Sequence, residues 1–357
     1  MQGSTFTMTQ KFAAAAATLA VVAFTGCKPS GPENIQLSGA GSTFVNPVMT
    51  RWTSDYSKVH TNVQINYQSI GSGGGIQQVK AGTVDFGASD AALNDQQLAA
   101  MKPVIQFPES AGPVCLTYNL PDLKDPLQLS PEALAGIFLG TIKSWQDPLI
   151  AKDNPGVTLP KVNIVVAHRA EGSGTTNIFT TYLAAVSPEW QSKVGKGNSV
   201  NWPVGLGGKG SEGVTGNIRQ SPGAIGYVEL TYAQQNQLPV AKVKNQAGEY
   251  VSATADATTA AINAFSSQLA QDPRTPIVNP PASAKDAYPI SGLTFLIIPK
   301  DGPGKDKRAA LKGFAQYIIT DGQATAGSLN YAPLPDGVKQ YDQQQLQLMT
   351  ADGQPLQ

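Results

Sequence analysis

Four segments rich in glycine, serine and threonine separate strand-like from helix-like stretches, and they constrain the fold more than any other feature of this chain. They are residues 39–44, 71–75, 85–90 and 169–175. Glycine lets a backbone approach a bound group closely, and Ser or Thr at a helix start adds hydroxyls to the free N–H groups there. A helix N-terminus also favours an anion. One such loop predicts only a turn, but the set, with Arg169 and Asp90, predicts a site for a small anion.

The stretches between these loops alternate between strand and helix periodicity. Strand-like runs span residues 35–38, 63–69, 86–88 and 162–166, and helix-like runs span residues 44–59, 75–81, 130–139, 176–186 and 304–320. This alternation predicts an α/β fold with largely parallel sheets. Ligands of such sheets bind at the carboxyl ends of the strands, where the four loops stand.

Three further segments complete the predicted organisation. Residues 104–119 and 288–299 are long, apolar and β-rich, so each is either a plain core strand or a crossover strand that joins two lobes. Residues 272–285 are rich in Pro, Ala and Asp and predict a surface loop.

Composition bounds the class of protein. The chain has 357 residues, 41% of them hydrophobic and only 14% charged, with 25 basic and 25 acidic side chains. This length predicts about two domains, and the sparse charge is typical of a secreted solute-binding protein. No basic run is present that could follow a nucleic acid. Local donors, rather than a net positive field, must therefore attract an anion.

The N-terminus predicts export. Lys11 precedes an apolar stretch, residues 12–24, and Gly26-Cys27 follows. A short apolar run behind a positive residue indicates a secretory signal, and this run is too short for a membrane-spanning helix. Because it ends on Gly-Cys, the segment over residues 1–27 resembles a bacterial lipoprotein signal, which is cleaved just before a lipid-modified Cys27. The alternative is ordinary cleavage nearby. Translation could also start at Met8 instead of Met1. Residues 28–34 predict a flexible tether.

Enzyme motifs are weak in this sequence. Residues 87–91 loosely resemble a nucleophile elbow but lack its last glycine, and residues 205–211 lack the Lys-Ser/Thr pair of a P-loop. His60 is expected at the surface, His168 in a supporting or core position, and Cys115 as a small buried hydrophobe. No paired-His metal motif and no dinucleotide fingerprint occur. The sequence therefore predicts no catalytic residue, no cofactor and no metal.

Six motifs, in this order along the chain, closely resemble those of the phosphate-binding proteins of bacterial phosphate ABC importers. They are Leu37-Ser-Gly-Ala-Gly-Ser-Thr-Phe44, Gly71-Ser-Gly-Gly-Gly75, Val84-Asp-Phe-Gly-Ala-Ser-Asp-Ala91, Arg169-Ala-Glu-Gly-Ser-Gly-Thr175, residues 202–210 and residues 222–228. The resemblance covers nearly all of the chain after residue 35. It implies a two-lobe periplasmic binding protein of the type II class, each lobe a sheet flanked by helices, joined by two crossover strands. Lobe 1 is expected over residues 35–112 plus 291–357, and lobe 2 over residues 113–290.

The family's ligand contacts carry over to eight residues. Thr43 and Phe44 would each contribute a backbone N–H, and Thr43 its hydroxyl as well, while Ser72 would donate from hydroxyl and backbone. Asp90 would accept the proton of the phosphate. Arg169 would donate from its guanidinium, and the remaining oxygens would be bound by Ser173, Gly174 and Thr175. The family often has Asp where this chain has Glu171, an acid that holds the arginine in place. Ser42 and Gly73 are expected as tolerated small-residue variants.

The resemblance implies a monomeric, extracytoplasmic receptor that binds inorganic phosphate and delivers it to the permease and ATPase complex of an ABC transporter. It would be periplasmic, attached to a membrane through the lipid anchor and without a nucleic-acid partner. The donor inventory supports this independently, because phosphate offers only acceptors and its own protons. Two alternatives remain open: a receptor for sulfate or molybdate, which Asp90 disfavours, and a phosphatase.

Overall fold

A computed structural model of the protein describes residue 5 and residues 34–356. Thirteen strands occur in this part of the chain: β1 (Ile35–Gly41), β2 (Val63–Ser69), β3 (Phe86–Ser89), β4 (Val104–Tyr118), β5 (Gln128–Leu129), β6 (Val165–Arg169), β7 (Leu206–Gly208), β8 (Ala224–Glu229), β9 (Lys242–Lys244), β10 (Tyr250–Val251), β11 (Ser291–Pro299), β12 (Thr350–Ala351) and β13 (Gln354–Pro355).

Fourteen helices occur in the same described residues: α1 (Asn46–Val59), α2 (Ser72–Ala81), α3 (Asp95–Ala99), α4 (Pro131–Leu139), α5 (Pro148–Asp153), α6 (Gly174–Val186), α7 (Pro188–Lys193), α8 (Gly210–Gln220), α9 (Leu230–Gln235), α10 (Ala255–Ala264), α11 (Ser266–Gln271), α12 (Lys305–Ile319), α13 (Gly322–Ser328) and α14 (Asp336–Gln347). None of them is long and apolar enough to cross a bilayer.

An eight-stranded sheet in the order β2-β1-β3-β11-β4-β8-β6-β7 organises the chain. The outer strands β1, β2 and β3 are parallel to one another, and so are β6, β7 and β8. The two central strands, β4 and β11, run antiparallel to their neighbours. The sheet is therefore parallel only in its two outer parts, and the prediction of largely parallel sheets did not extend to the centre.

Strand β4 belongs to both parts of this sheet. Residues 104–113 pair with β11, and residues 114–118 pair with β8. Almost all of β4 is buried because sheet neighbours flank it on both sides. The predicted runs 104–119 and 288–299 thus lie at the junction of the two parallel groups, as crossover strands would.

Most predicted bounds agree with the structure to within three residues, and capping explains several of the helix starts. The Ser130 hydroxyl accepts the Ala133 N–H at the start of α4, and the Ser173 hydroxyl accepts the Thr176 N–H at the start of α6. Helix α2 begins three residues earlier than predicted, at Ser72. The strand predicted over residues 162–166 was wrong at its start, because β6 begins only at Val165. Val162 and Ile164 instead form backbone hydrogen bonds with Trp145 and Lys143.

Three buried clusters form the core of the described residues. One of them joins Ile262, Leu269 and Ile277 to residues from β4, β11 and the segment before α14. Residues 262–277 therefore pack against elements assigned to lobe 1, although the predicted lobe 2 extends to residue 290. Cys115 is buried as predicted, and burial raises the pKa of its thiol.

Candidate functional site

The four predicted loops converge at one place, where the carboxyl ends of β1, β3 and β6 meet the N-termini of α2 and α6. Strand β1 leads into residues 42–44, β3 into Asp90, and β6 ends at Arg169. Parallel neighbours place their carboxyl ends at the same edge, so topology alone brings each group of loops together. All eight residues carried over by resemblance lie in these loops or helix starts. Residues 1–27, with Cys27, lie outside the described residues.

Loops from the two parallel groups contact each other directly. The Gly73 N–H donates to the Gly172 carbonyl over 3.0 Å, and the Gly174 N–H donates to the Ser72 hydroxyl over 3.0 Å. This approach requires glycine at position 174. A Cβ there would lie 2.6–2.7 Å from backbone and side-chain atoms of Asp90.

Asp90 is the central acceptor, and its side chain is buried. Its carboxylate accepts hydrogen bonds from Ser42 and, over 3.0 Å, from Thr175. Burial raises its pKa, whereas the hydroxyl donors and nearby Arg169 act in the opposite direction. Ser42 was expected only as a tolerated small residue, but the structure gives it a hydrogen bond to the Asp90 carboxylate.

Arg169 is held by an acidic partner and a threonine. Its Nε lies 2.8 Å from Oε1 of Glu171, which also accepts from Nη2, and its Nη1 lies 3.4 Å from the Thr175 hydroxyl. Glu171 in turn accepts the Gly210 N–H at the start of α8. The longer Glu171 therefore orients the guanidinium as the family's shorter acid is expected to do.

Backbone N–H groups add further donors at the site. In the described chain, no hydrogen bond is made by the N–H groups of Thr43, Phe44, Ser72 and Thr175. Ser72 and Thr175 stand in the first turns of α2 and α6, where the helix dipole favours an anion. The Ser72 hydroxyl oxygen already accepts the backbone N–H groups of Asp90 and Gly174, so the hydroxyl proton is available to a ligand.

Three tyrosines orient the loop at residues 42–44. Tyr67, Tyr232 and Tyr331 each donate a hydroxyl hydrogen bond of 2.6–2.8 Å to the carbonyls of Ser42, Thr43 and Phe44 respectively. Because every carbonyl of the loop is bound in this way, its peptide planes are fixed. Sequence reasoning missed these tyrosines, which lie 25 to 287 residues away from their partners.

Ser211 was also missed. Its hydroxyl lies 2.9 Å from the Thr43 hydroxyl, and its N–H donates to the same oxygen over 3.3 Å. No pattern in the sequence indicated this contact across 168 residues.

Both histidines of the chain lie in the kind of position that the sequence predicted for them. His60 is exposed and stacks on Tyr56, as expected for a surface residue. His168 stacks on Trp202, and its Nδ1 lies 3.0 Å from the Arg169 carbonyl, in a supporting position. Among residue 5 and residues 34–356, no group of three or more His, Cys, Asp or Glu side chains could hold a metal ion.

Comparisons with known proteins decide the family. A family model described as a PBP superfamily domain matches residues 28–322. Phosphate-binding protein PstS of Xylella fastidiosa (strain Temecula1) is 40% identical over 344 residues, covering 90% of this chain and 93% of that protein. Phosphate-binding protein PstS of Methanocaldococcus jannaschii is 36% identical over 356 residues, covering 89% and 90%. The chain belongs to this family of phosphate-binding proteins.

Solved structures show the same fold. The ancestral soluble variant of the Human Phosphate Binding Protein has a TM-score of 0.69 at 21% identity, covering 86% of this chain and 92% of that chain. A high affinity periplasmic phosphate-binding protein, PfluDING, bound with phosphate, has a TM-score of 0.67 at 23% identity, with the same coverage. The fold is accordingly α/β, of the type II periplasmic binding protein class.

Proposed function

We propose that this protein binds inorganic phosphate outside the cytoplasm with high affinity and delivers it to the permease of an ABC transporter for import. One observation carries the proposal: the loops that hold the buried carboxylate of Asp90 also present the Ser72 hydroxyl, the Arg169 guanidinium and four backbone N–H groups that make no hydrogen bond within the described residues. Monohydrogen phosphate offers many acceptor positions and one proton, which is the complement of this set. Membership of a family whose relatives are named phosphate-binding proteins supports the same ligand.

Asp90 is the residue expected to make the site selective for phosphate over the alternative oxyanions. Sulfate and molybdate are fully deprotonated near neutral pH, so neither has a proton to offer the carboxylate. Calorimetry with phosphate, sulfate and molybdate tests the proposal. We expect phosphate to bind and the other two to bind at least about 10³-fold more weakly. Equal binding of sulfate, or no binding of phosphate, would refute it.

We further propose that the protein is a receptor and not a hydrolase. Its family is one of binding proteins. His168, the histidine nearest the site, is engaged with Trp202 and the Arg169 carbonyl rather than with a hydroxyl nucleophile. Incubation of the purified protein with a phosphate monoester, with and without divalent metal, should release no phosphate above background. Turnover that disappears in an Arg169→Ala variant would contradict a pure binding role.

Closure of two lobes on the ligand is also proposed, with lobe 1 over residues 35–112 plus 291–357 and lobe 2 over residues 113–290. The direct contacts of Ser72 and Asp90 with Gly174 and Thr175 support it, because a ligand between these loops would touch both lobes. Such a ligand favours the closed form by its differential affinity. Small-angle scattering should show a smaller radius of gyration with phosphate. An unchanged radius at saturation would argue against closure.

We propose that the protein acts in the periplasm as a monomer, anchored through a lipid on Cys27. The Lys11 to Cys27 pattern supports the anchor, since it resembles a lipoprotein signal. Mass spectrometry of the exported protein should find a diacylglyceryl group on an N-terminal Cys27. An unmodified N-terminus elsewhere would exclude this anchor. Light scattering of the protein lacking residues 1–27 should give the mass of one chain, and a dimer mass would contradict the monomer.

A further inference from the structure

Ser42 is a buried residue of the anion loop for which no direct ligand contact is expected. Its side chain is fully buried, and its hydroxyl donates to one oxygen of the Asp90 carboxylate, Oδ1. The hydroxyl oxygen also accepts the Val45 N–H, just before α1, over 3.4 Å. An ionised carboxylate has no proton to give, so the Ser42 proton must point to Asp90. The Ser42 hydroxyl is therefore committed to Asp90 and is not free to bind a ligand.

Backbone contacts fix the direction of the Ser42 side chain. The Ser42 N–H donates to the Ala88 carbonyl over 2.9 Å, and the Ser42 carbonyl accepts the Tyr67 hydroxyl over 2.8 Å. Asp90 is held from its own backbone, because its N–H donates to the Ser72 hydroxyl over 3.2 Å. Both partners of the Ser42–Asp90 hydrogen bond are thus held in place by the loops that carry them.

The two oxygens of the Asp90 carboxylate receive one hydroxyl each. Ser42 donates to Oδ1, and Thr175 donates to Oδ2 over 3.0 Å. A carboxylate has about four acceptor positions, so this pair of donors fixes the plane of the group and leaves positions for the proton of a ligand. Thr175 is itself an expected ligand contact at the start of α6, whereas Ser42 reaches the ligand through Asp90.

We propose that Ser42 is a specificity-determining positioning residue: its hydroxyl keeps the Asp90 carboxylate ionised and oriented, so that the site accepts an anion with a proton and rejects an anion without one. This inference rests on the proposed function. A hydrogen bond to an ionised acceptor is stronger than one to a neutral acceptor, and the helix start behind Ser42 favours negative charge. Loss of the Ser42 donor therefore favours a neutral Asp90, which can itself donate to an oxygen of sulfate.

The balance at Asp90 is one that a single donor can shift. Burial raises the pKa of the Asp90 carboxyl. The hydrogen bonds from Ser42 and Thr175 and the charge of Arg169 act in the opposite direction. Arg169 stays protonated at any pH of interest and is paired with Glu171. Removal of the Ser42 hydroxyl leaves burial opposed by fewer groups, so the pKa of Asp90 should rise further.

Two further titratable groups feel the charge of Asp90, and both are neutral near neutral pH. Glu109 lies on β4, and burial, together with the charge of Asp90, raises its pKa to about 8. Tyr67 lies on β2, and burial, with the charges of Glu109 and Asp90, raises its pKa well above its ordinary value. Below about pH 7 neither group changes its charge, so Asp90 is the group whose titration a change at Ser42 would move.

Ser42→Ala tests the inference by competitive calorimetry with phosphate and sulfate. Sulfate stays fully deprotonated near neutral pH, so it binds only as Asp90 gains a proton, that is, as the pH falls through the pKa of Asp90. In the variant this should happen at a higher pH than in the parent, with proton uptake on sulfate binding displaced in the same direction. Near about pH 6 the ratio of phosphate affinity to sulfate affinity should fall by about tenfold.

Ser42→Ala combined with Asp90→Asn separates a role through Asp90 from general damage to the loop. Once the carboxylate is replaced, Ser42 has no ionised group to stabilise, so adding Ser42→Ala should change the ratio by less than about threefold. Ser42→Cys fills the buried position with a weaker donor. Alone, it should lower the ratio in the same direction as Ser42→Ala.

Ser110→Ala is the matched control. Ser110 is also fully buried, on β4, and its hydroxyl has no hydrogen-bond partner among the described residues. Its variant should keep the parent ratio and pH profile. Ser42 variants that match the parent in both, or an equal loss of ratio with and without the Asp90 carboxylate, would overturn the inference while leaving phosphate binding established. Failure of the parent to bind phosphate, or to prefer it over sulfate, would instead count against the proposed function.

Discussion

Asp90→Asn is expected to retain phosphate binding but to reduce the preference for phosphate over sulfate by about 10²-fold or more. In the proposed site the parent carboxylate accepts the proton of monohydrogen phosphate and repels sulfate, which has no proton to share. Asparagine removes the charge and offers an amide donor in place of one acceptor oxygen. Arg169, the Ser72 hydroxyl and the backbone N–H groups still bind either anion. Competitive calorimetry with phosphate and sulfate at one pH measures the ratio.

The control for this variant is Asp95→Asn, since the Asp95 side chain is 89% exposed and pairs with Arg274 at the surface. It should leave both affinities unchanged. If Asp90→Asn excludes sulfate as strongly as the parent does, Asp90 does not distinguish the two anions by their proton.

Arg169→Ala is expected to weaken phosphate and sulfate alike, by roughly 10²- to 10³-fold. The guanidinium is a charge-assisted donor that either anion can use, and its side chain is only 1% exposed. Removing it also leaves Glu171 without its cationic partner, so a second negative charge stands near the ligand. Calorimetry with both anions should therefore show lower affinities in nearly equal ratio.

Arg51→Ala provides the matched comparison, because Arg51 is 62% exposed and pairs with Asp55 on the surface of α1. Its affinities should equal those of the parent. An Arg169→Ala variant that loses phosphate binding but keeps sulfate binding would show that Arg169 contributes to selectivity, contrary to the shared role assigned here. Thermal unfolding should confirm that both variants are folded.

The local pattern was sufficient to predict the loops of the candidate site. Glycine, serine and threonine at the ends of short apolar runs have strong local conformational preferences, and these decide turns and helix starts. Ser173 and Ser130 illustrate this, since each caps a helix whose start the sequence predicted to within two residues. The carboxyl ends of the strands could be identified because the alternation of strand and helix implies parallel pairing.

The pairing of the central strands could not be predicted from periodicity. Residues 104–119 and 288–299 are apolar throughout, and a fully buried strand shows no alternation that would reveal its neighbours or its direction. Only the assembled sheet shows that β4 and β11 run antiparallel to the strands beside them.

By itself the sequence predicted which residues supply donors and the single acceptor, because residue type and helix position decide that chemistry. The tertiary structure decided how those groups are held. Tyr331 meets the Phe44 carbonyl, Tyr232 meets the Thr43 carbonyl, and Ser211 meets the Thr43 hydroxyl, each across more than 160 residues of chain. No local preference encodes such contacts. Burial likewise depends on the whole fold, so the raised pKa of Asp90 arises only once β3, the strand before it, lies within the sheet.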